Sequence, residues 1–317
     1  MTKLMIKGTF IDEISHDIPH QNWGEKEWDT DFLYMKNAGI EFVILIRCGY
    51  NKWCTYPSKV LDREVNIFQP QIDLVDMFLR LCEKHELDFY FGLYDSGKHW
   101  VDGKTDIEID LNCRVIEEVW SMYGNYKRFR GWYISHESSG NSNGIISLYN
   151  KLGAYCKKTS NNLKVIISPY IDGVKNVSQY TGLTTKSSGI SLSAYKKEWS
   201  LIIGSIKDNV DIIAFQDGHV EYEQLKDFLK INKELCDENH IDCWTNLETF
   251  DRDMPIKFLP IKWDKLHYKI NVAKEVGIQH AITFEFSHFM SPQSSYIQAH
   301  HLYNRYMEHI QSNENET

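Results

Sequence analysis

Two glutamates carry the chemistry that this sequence suggests. Glu137 ends the apolar run Phe129-Arg-Gly-Trp-Tyr-Ile-Ser-His-Glu137, and Glu248 ends Ile241-Asp-Cys-Trp-Thr-Asn-Leu-Glu248. If these runs are strands four and seven of a (β/α)8 barrel, both carboxylates point into its mouth. Two carboxylates across one cleft are the minimum equipment for cleaving a glycosidic bond: one protonates the leaving oxygen, and the other attacks the sugar or activates water. A separation of about 5 Å would mark a retaining reaction and roughly 6.5–9.5 Å an inverting one.

The elements needed to position that pair are legible along the whole chain. Strand patterns occur at Ile6–Asp12, Glu41–Arg47, Asp88–Tyr94, Gly131–Glu137, Lys164–Tyr170, Asp211–Gln216, Asp242–Glu248 and Ala281–Ser287. A helical pattern follows each of them, at Lys26–Asn37, Ile72–His85, Leu111–Met122, Ile145–Lys158, Leu192–Ile206, Tyr222–Glu238, Trp263–Glu275 and Tyr296–Ile310. Strict alternation predicts a parallel sheet, and eight units favour closure into a single (β/α)8 TIM barrel over residues 1–317, with a doubly wound open sheet as the structural alternative. Helix-to-strand links such as Asn37-Ala-Gly-Ile40 and Glu275-Val-Gly-Ile278 are tight, whereas the links after strands one, two, three, five and seven are long. The extra chain therefore lies on the C-terminal face, where such barrels carry their sites.

Composition narrows the partners. The 317 residues carry 35 basic and 44 acidic side chains, a net charge of −9, and no basic run that would track a phosphate backbone. Nucleic acid is not an expected partner. The N-terminal Met1-Thr-Lys-Leu-Met-Ile-Lys-Gly-Thr-Phe10 has no apolar stretch suited to a signal peptide, and no segment is suited to a membrane span. Seven cysteines, odd in number and without a Cys-x-x-Cys pair, predict reduced structural thiols in a cytoplasmic protein. The oligomeric state is not readable.

Strand parity then selects side chains for the mouth. On the seventh strand Trp244, Asn246 and Glu248 are expected to face inward, and on the fourth Tyr133, Ser135 and Glu137. On the eighth, taking Ile282, Phe284 and Phe286 as the outward apolar set leaves Ala281, Thr283, Glu285 and Ser287 inside. Arg47, Tyr94, Tyr170 and Asp172 join the mouth by the same test, with Asp95, His136 and His288 beside them. On strand six, parity leaves Gln216 and Asp217 as alternatives. Aromatics in the long loops (Trp23, Trp53, Tyr56, Trp100, Tyr180 and Phe250) suit the apolar C–H face of a sugar ring. All of these predict carbohydrate binding without a cofactor.

A barrel with glutamates ending strands four and seven resembles the large clan of retaining (β/α)8 glycoside hydrolases. More closely, Gly8-Thr-Phe-Ile-Asp-Glu13, Gly131-Trp-Tyr-Ile-Ser-His-Glu137 and Ile282-Thr-Phe-Glu-Phe-Ser-His288 resemble a family of bacterial barrels called domain of unknown function 4434, to which glycoside hydrolysis is ascribed without a substrate. The resemblance spans nearly the whole chain. It implies Glu137 as acid/base, Glu248 as nucleophile, and an arginine at the end of strand two, here Arg47, hydrogen-bonded to the nucleophile and keeping it ionised. Tyr170 or Tyr94 would orient the nucleophile or the attacked carbon. The clan usually has asparagine before the strand-four glutamate, contacting the sugar 2-hydroxyl; this chain has His136, which either takes over that contact or marks a different sugar or mechanism.

Other readings stay open. A strand-end glutamate can simply satisfy loop amides or pair with an arginine. Asp12 and Glu13 can bind substrate hydroxyls or hold supporting partners, as can Asp172 and Glu285. Hard oxygens from Glu137, Asp172, Asp217, Glu248 and Glu285 could instead hold divalent ions in a sugar isomerase or epimerase. His16, His20, His99, His136, His219 and His288 lie near the same face, but the first strand lacks the His-x-His of amidohydrolase-type barrels, so no metal site is predicted. A non-catalytic carbohydrate-binding barrel is a third reading. The run Thr249–Trp263 suits either an ordered lid or a rigid loop, and Lys175 could pair with an acid or contact an acidic sugar.

Overall fold

The computed structural model describes residues 4–15, 18, 20–175, 189–252 and 258–312. Eight strands build the barrel: β1 Ile6–Ile11, β2 Phe42–Leu45, β3 Asp88–Gly92, β4 Phe129–Tyr133, β5 Lys164–Ile167, β6 Ile212–Gln216, β7 Asp242–Asn246 and β8 His280–Thr283. They close into a barrel in the order β1-β8-β7-β6-β5-β4-β3-β2 with every pairing parallel. Closure rests on β1 beside β8, with Gly8 opposite Ile282 and Thr9 opposite Thr283, so the open sheet is excluded. All but β6 stop one to four residues short of the sequence reading, because the chain leaves the ladder before it reaches the side chains of the mouth.

Eight helices wrap the barrel: α1 Glu25–Asn37, α2 Leu74–His85, α3 Thr105–Tyr123, α4 Ile145–Thr159, α5 Leu192–Ile206, α6 Tyr222–Glu238, α7 Trp263–Val276 and α8 Ile297–Gln311. The α2 helix shows the local causes. Asp73 caps its start by accepting from the Asp76 amide at 3.0 Å, and Glu86 in a left-handed conformation ends it. Between them Val75, Phe78, Leu79 and Cys82 line one face and are buried. Two short helices, Lys59–Val65 and Phe286–Phe289, lie in the loops after β2 and β8 and were not evident in the sequence. No helix among the described residues is long and apolar enough to cross a membrane.

Both faces of the barrel wall are apolar. Val43, Leu45, Phe91, Trp132, Ile134, Val165 and Ile213 pack outward with the helices. Phe10, Phe42, Ile44, Tyr90, Tyr133, Ile166, Ala214, Trp244 and Ile282 fill the interior. Each large side chain so buried contributes about 1.5–3 kcal/mol, and together they plug the lumen. Only the C-terminal rim is left for chemistry.

That second apolar layer corrects one parity assignment. Ile282 and Phe284 belong with the interior cluster, and Ala281 packs with the outer one. Hydrophobicity cannot tell the faces apart when both are buried, so Ala281, Ile282 and Phe284 lie on the reverse of their expected faces, whereas Phe286, beyond the strand, packs in the outer cluster as expected.

Candidate active site

Glu248 stands just beyond β7, which carries Trp244 and Asn246 on the interior side as expected. Its carboxylate is 2% exposed, and Arg252 grips both oxygens: Nε donates to Oε2 and Nη2 to Oε1, each at 3.1 Å. The Arg252 guanidinium is itself backed by the rings of Phe250 and Phe258, at 4.9 and 5.7 Å. Behind the glutamate, buried Asp217 accepts from the Glu248 amide at 3.2 Å and from Lys269 at 2.7 Å. Burial alone would favour the neutral acid, but Arg252, with Lys269, holds Glu248 below the usual carboxylate range. Gly218 makes room for this arrangement, since a Cβ there would fall 1.6 Å from Glu248 Oε2.

Glu137 has the opposite environment. It follows β4 at the same rim, half-buried, and takes a hydrogen bond from the Tyr133 hydroxyl at 2.8 Å. No side chain forms an ion pair with it among the described residues, and burial pushes its carboxyl above the ordinary range. Arg47, Gln216 and Tyr133 oppose that rise, and the charge of Glu248 adds to it. The last effect means that the two carboxylates sense one another across the mouth.

Arg47 does not reach Glu248. Its Nη1 donates to Asp95 at 3.3 Å, its guanidinium lies 5.2 Å from the Tyr50 ring centre, and its field acts on Asp12, Asp95 and Glu137. Strand order explains the correction: β2 sits between β1 and β3, so acids ending those strands are nearer than one ending β7. The cation on Glu248 comes instead from Arg252, four residues further along the loop. A lone arginine inside Thr249–Trp263 was the available signal, although residues 253–257 of that run lie outside the described structure.

Several other expected site residues are elsewhere. His136 turns away from the mouth, and its Nε2 meets Glu108 of α3 at 2.9 Å, so it does not supply the sugar contact. Tyr94 is buried in the outer core, with its hydroxyl on the Asn51 carbonyl at 2.6 Å. Asp217 is a buried partner of Lys269, whereas Gln216 is the inward residue of β6, its Nε2 donating to the Ser168 carbonyl at 2.7 Å, and its amide helps to favour the ionised form of Glu137. Glu285 caps the Phe286–Phe289 helix by accepting from the Ser287 and His288 amides and from His288 Nδ1, and both side chains are fully buried. Trp244 lies deep in the lumen, 5.3 Å from Phe42 and 5.4 Å from His280, ring centre to ring centre.

The residues that do gather at the rim are Glu137, Glu248, Arg47, Tyr133, Gln216, Tyr170 and Arg252. Phe284, half-exposed and packed on the interior cluster, joins them by the reversed parity of β8. Tyr170 bridges to Gln216 and stacks edge-on with His219 at 5.3 Å. Burial and Arg252 hold His219 neutral, lowering its pKa to about 4. Asn246 lies one layer lower, bonded to Ser168 at 3.2 Å, and half-buried Asp172 acts on His219 through its charge. His16 and Tyr180 lie outside the described residues.

Residues 6–296 match the model of a family described as domain of unknown function (DUF4434). The chain belongs to this DUF4434 family. A Bacteroides thetaiotaomicron VPI-5482 protein named as a candidate alpha-L-fucosidase is similar over 96% of this chain and 93% of its own, with 54% identity and a TM-score of 0.92. The endo-1,4-beta-D-mannanase of Thermotoga petrophila RKU-1 matches over 89% and 88% at 10% identity and a TM-score of 0.56. The intracellular xylanase TsXylA of Thermoanaerobacterium saccharolyticum JW/SL-YS485 matches over 89% and 85%, also at 10% identity, with a TM-score of 0.53. The DUF4434 chain thus shares its barrel with glycoside hydrolases. No curated protein matches it.

The acids proposed for an isomerase metal are not assembled in the DUF4434 barrel, because Asp217, Glu248 and Glu285 are each taken by Lys269, Arg252 and the helix cap with His288. One cluster among the described residues has ligand-like spacing, Asp95, Glu108 and His136 within 4.8 Å. Its oxygens are already spoken for. Asp95 accepts from Gly97, Trp100 Nε1 and Arg47, while Glu108 accepts from the Ser96 amide and hydroxyl and from His136. So many donors suit an anchored carboxylate network rather than a cation. That network sets Trp100, which stands edge-on to His136 at 5.4 Å.

Proposed function

We propose that this DUF4434 barrel is a retaining glycoside hydrolase, with Glu137 as acid/base and Glu248 as nucleophile. The observation that carries this reading is the divergence of two carboxylates in one mouth: burial raises Glu137, and Arg252 lowers Glu248. Such a split separates the proton donor from the ionised partner at a single pH. In the first step Glu137 gives its proton to the glycosidic oxygen as that C–O bond breaks, and a Glu248 oxygen bonds to the anomeric carbon. In the second, Glu137 takes a proton from water, whose oxygen displaces Glu248 from the sugar. A carboxylate has about four acceptor positions, so the two Arg252 bonds leave Glu248 free lone pairs with which to attack.

The relative named for alpha-L-fucoside cleavage makes that the first sugar to try. A panel of 4-nitrophenyl glycosides, beginning with the α-L-fucoside and extending to β-glucoside, β-mannoside and β-xyloside, tests the reading on wild type and Glu137→Gln. Wild type is expected to release nitrophenol from at least one, the variant about 10²–10⁴-fold more slowly. Proton NMR should show the first-formed sugar with its anomeric configuration kept. Absence of turnover across the panel overturns the hydrolase, and a Glu137→Gln enzyme as fast as wild type overturns the acid/base role of Glu137. An inverted first product overturns only the nucleophile role of Glu248.

A further inference from the structure

Beside the mouth a cleft of about 530 Å³ opens between the loop after β1 and the hairpin after β2. One wall is aromatic. Trp53 and Phe68 stand together with ring centres 5.0 Å apart, and they remain 58% and 55% exposed, a cost to the free protein that a ligand would relieve. The β1 loop lines the cleft with Glu13, Ser15 and His20 alongside Ile14 and Ile18, and Lys52 lies at the hairpin turn.

This shelf is built in advance. Gly49–Tyr50 pairs antiparallel with Trp53–Cys54, and the Phe68 amide donates to the Lys52 carbonyl at 2.8 Å, which fixes the second ring beside the first. Gly49 is required there, since a Cβ would meet the Tyr94 ring at 2.8 Å and the Trp53 carbonyl at 3.0 Å. The Tyr94 hydroxyl in turn holds the Asn51 carbonyl at the hairpin turn. Across the cleft, Asp12 accepts from the Ile14 and Ser15 amides and sets the β1 loop. The cleft opens on the side of the rim that carries Arg47, because Tyr50 lines it and its ring centre lies 5.2 Å from the Arg47 guanidinium.

We propose that the cleft is a second sugar subsite, in which a pyranose ring lays its C–H face on Trp53 and Phe68 while its hydroxyls bond Glu13, Ser15 and Lys52. Burial holds the Glu13 carboxyl near a pKa of about 7, so at neutral pH it can both donate to and accept from a hydroxyl. The inference rests on the hydrolase reading for its place beside Glu137, and it makes the substrate an oligosaccharide rather than a simple glycoside.

Binding without cleavage tests it. In Glu137→Gln, affinities are measured by calorimetry for cellotriose, mannotriose and 2′-fucosyllactose, each against its own terminal monosaccharide. At least one trisaccharide is expected to bind about tenfold more tightly than its monosaccharide, with that gain falling to within about twofold once Trp53→Ala and Phe68→Ala are added. Glu13→Gln leaves the hairpin untouched and is expected to cut the gain about threefold. A gain absent for all three sugars, or undiminished in both variants, overturns the subsite. Wild type that hydrolyses no glycoside while the gain persists defeats the hydrolase reading and leaves the subsite standing; hydrolysis without any gain does the reverse.

Discussion

The ends of β4 and β7 hold chemically identical side chains in unlike surroundings. At the end of β7, Glu248 is gripped by Arg252, backed by Asp217 and Lys269, and packed against Gly218 so closely that no Cβ fits. At the end of β4, Glu137 has one hydrogen bond, from a tyrosine hydroxyl, and an open flank. Charge partners, not residue type, therefore decide which glutamate keeps its proton. The rigid side suits a group that must form and break a bond to carbon, and the sparse side suits one that must gain and lose a proton.

The largest break in this asymmetry is Glu248→Gln. It removes the attacking oxygen and is expected to lower kcat by roughly 10⁴–10⁶-fold, measured with the best aryl glycoside, while ligand affinity is kept. Residual turnover within tenfold of wild type would return Glu248 to a structural role. Gly218→Ala comes next, because a methyl 1.6 Å from Oε2 must displace the carboxylate. Displacement on the order of 1 Å is expected to lower kcat about 10²-fold. An unaffected Gly218→Ala enzyme would show that the tight seat is not needed.

Arg252→Gln tests the charge itself. Arg252 depresses the Glu248 pKa, and activity requires the ionised form, so removing the guanidinium raises that pKa and moves the acidic limb of the kcat/KM profile upward. The basic limb, set by Glu137, should stay in place. Movement of the basic limb alone would reverse the assigned roles. Tyr133→Phe is the mildest probe. Its hydroxyl stabilises the ionised form of Glu137, so its loss raises that pKa and shifts the basic limb upward, with kcat changed only about a few-fold. A downward shift would mean that Tyr133 does not donate to Glu137.

Much of this barrel was legible beforehand. All eight strands and all eight wrapping helices were found in order, because period-two and period-3.6 apolar patterns survive wherever one face is buried. Glu137, Asn246 and Glu248 fall on the inner side for the same reason, whereas on β6, buried on both faces, parity left Gln216 and Asp217 as alternatives and only the structure chose Gln216. Glu285 was misplaced. Its strand is apolar on both faces, so the pattern that served β7 was silent on β8, and the carboxylate turned out to cap a helix.

Length, alternation and the positions of Glu137 and Glu248 thus follow from the chain itself, since local periodicity and the two-residue repeat of a strand are properties of neighbouring residues. The partners of those glutamates do not. Arg47 belongs to Asp95 because β2 lies beside β3, Arg252 reaches Glu248 because the loop after β7 folds back over Phe250, and His136 faces Glu108 because α3 packs behind it. Each of these pairings joins groups brought together by strand order and loop path, and only the closed barrel fixes those.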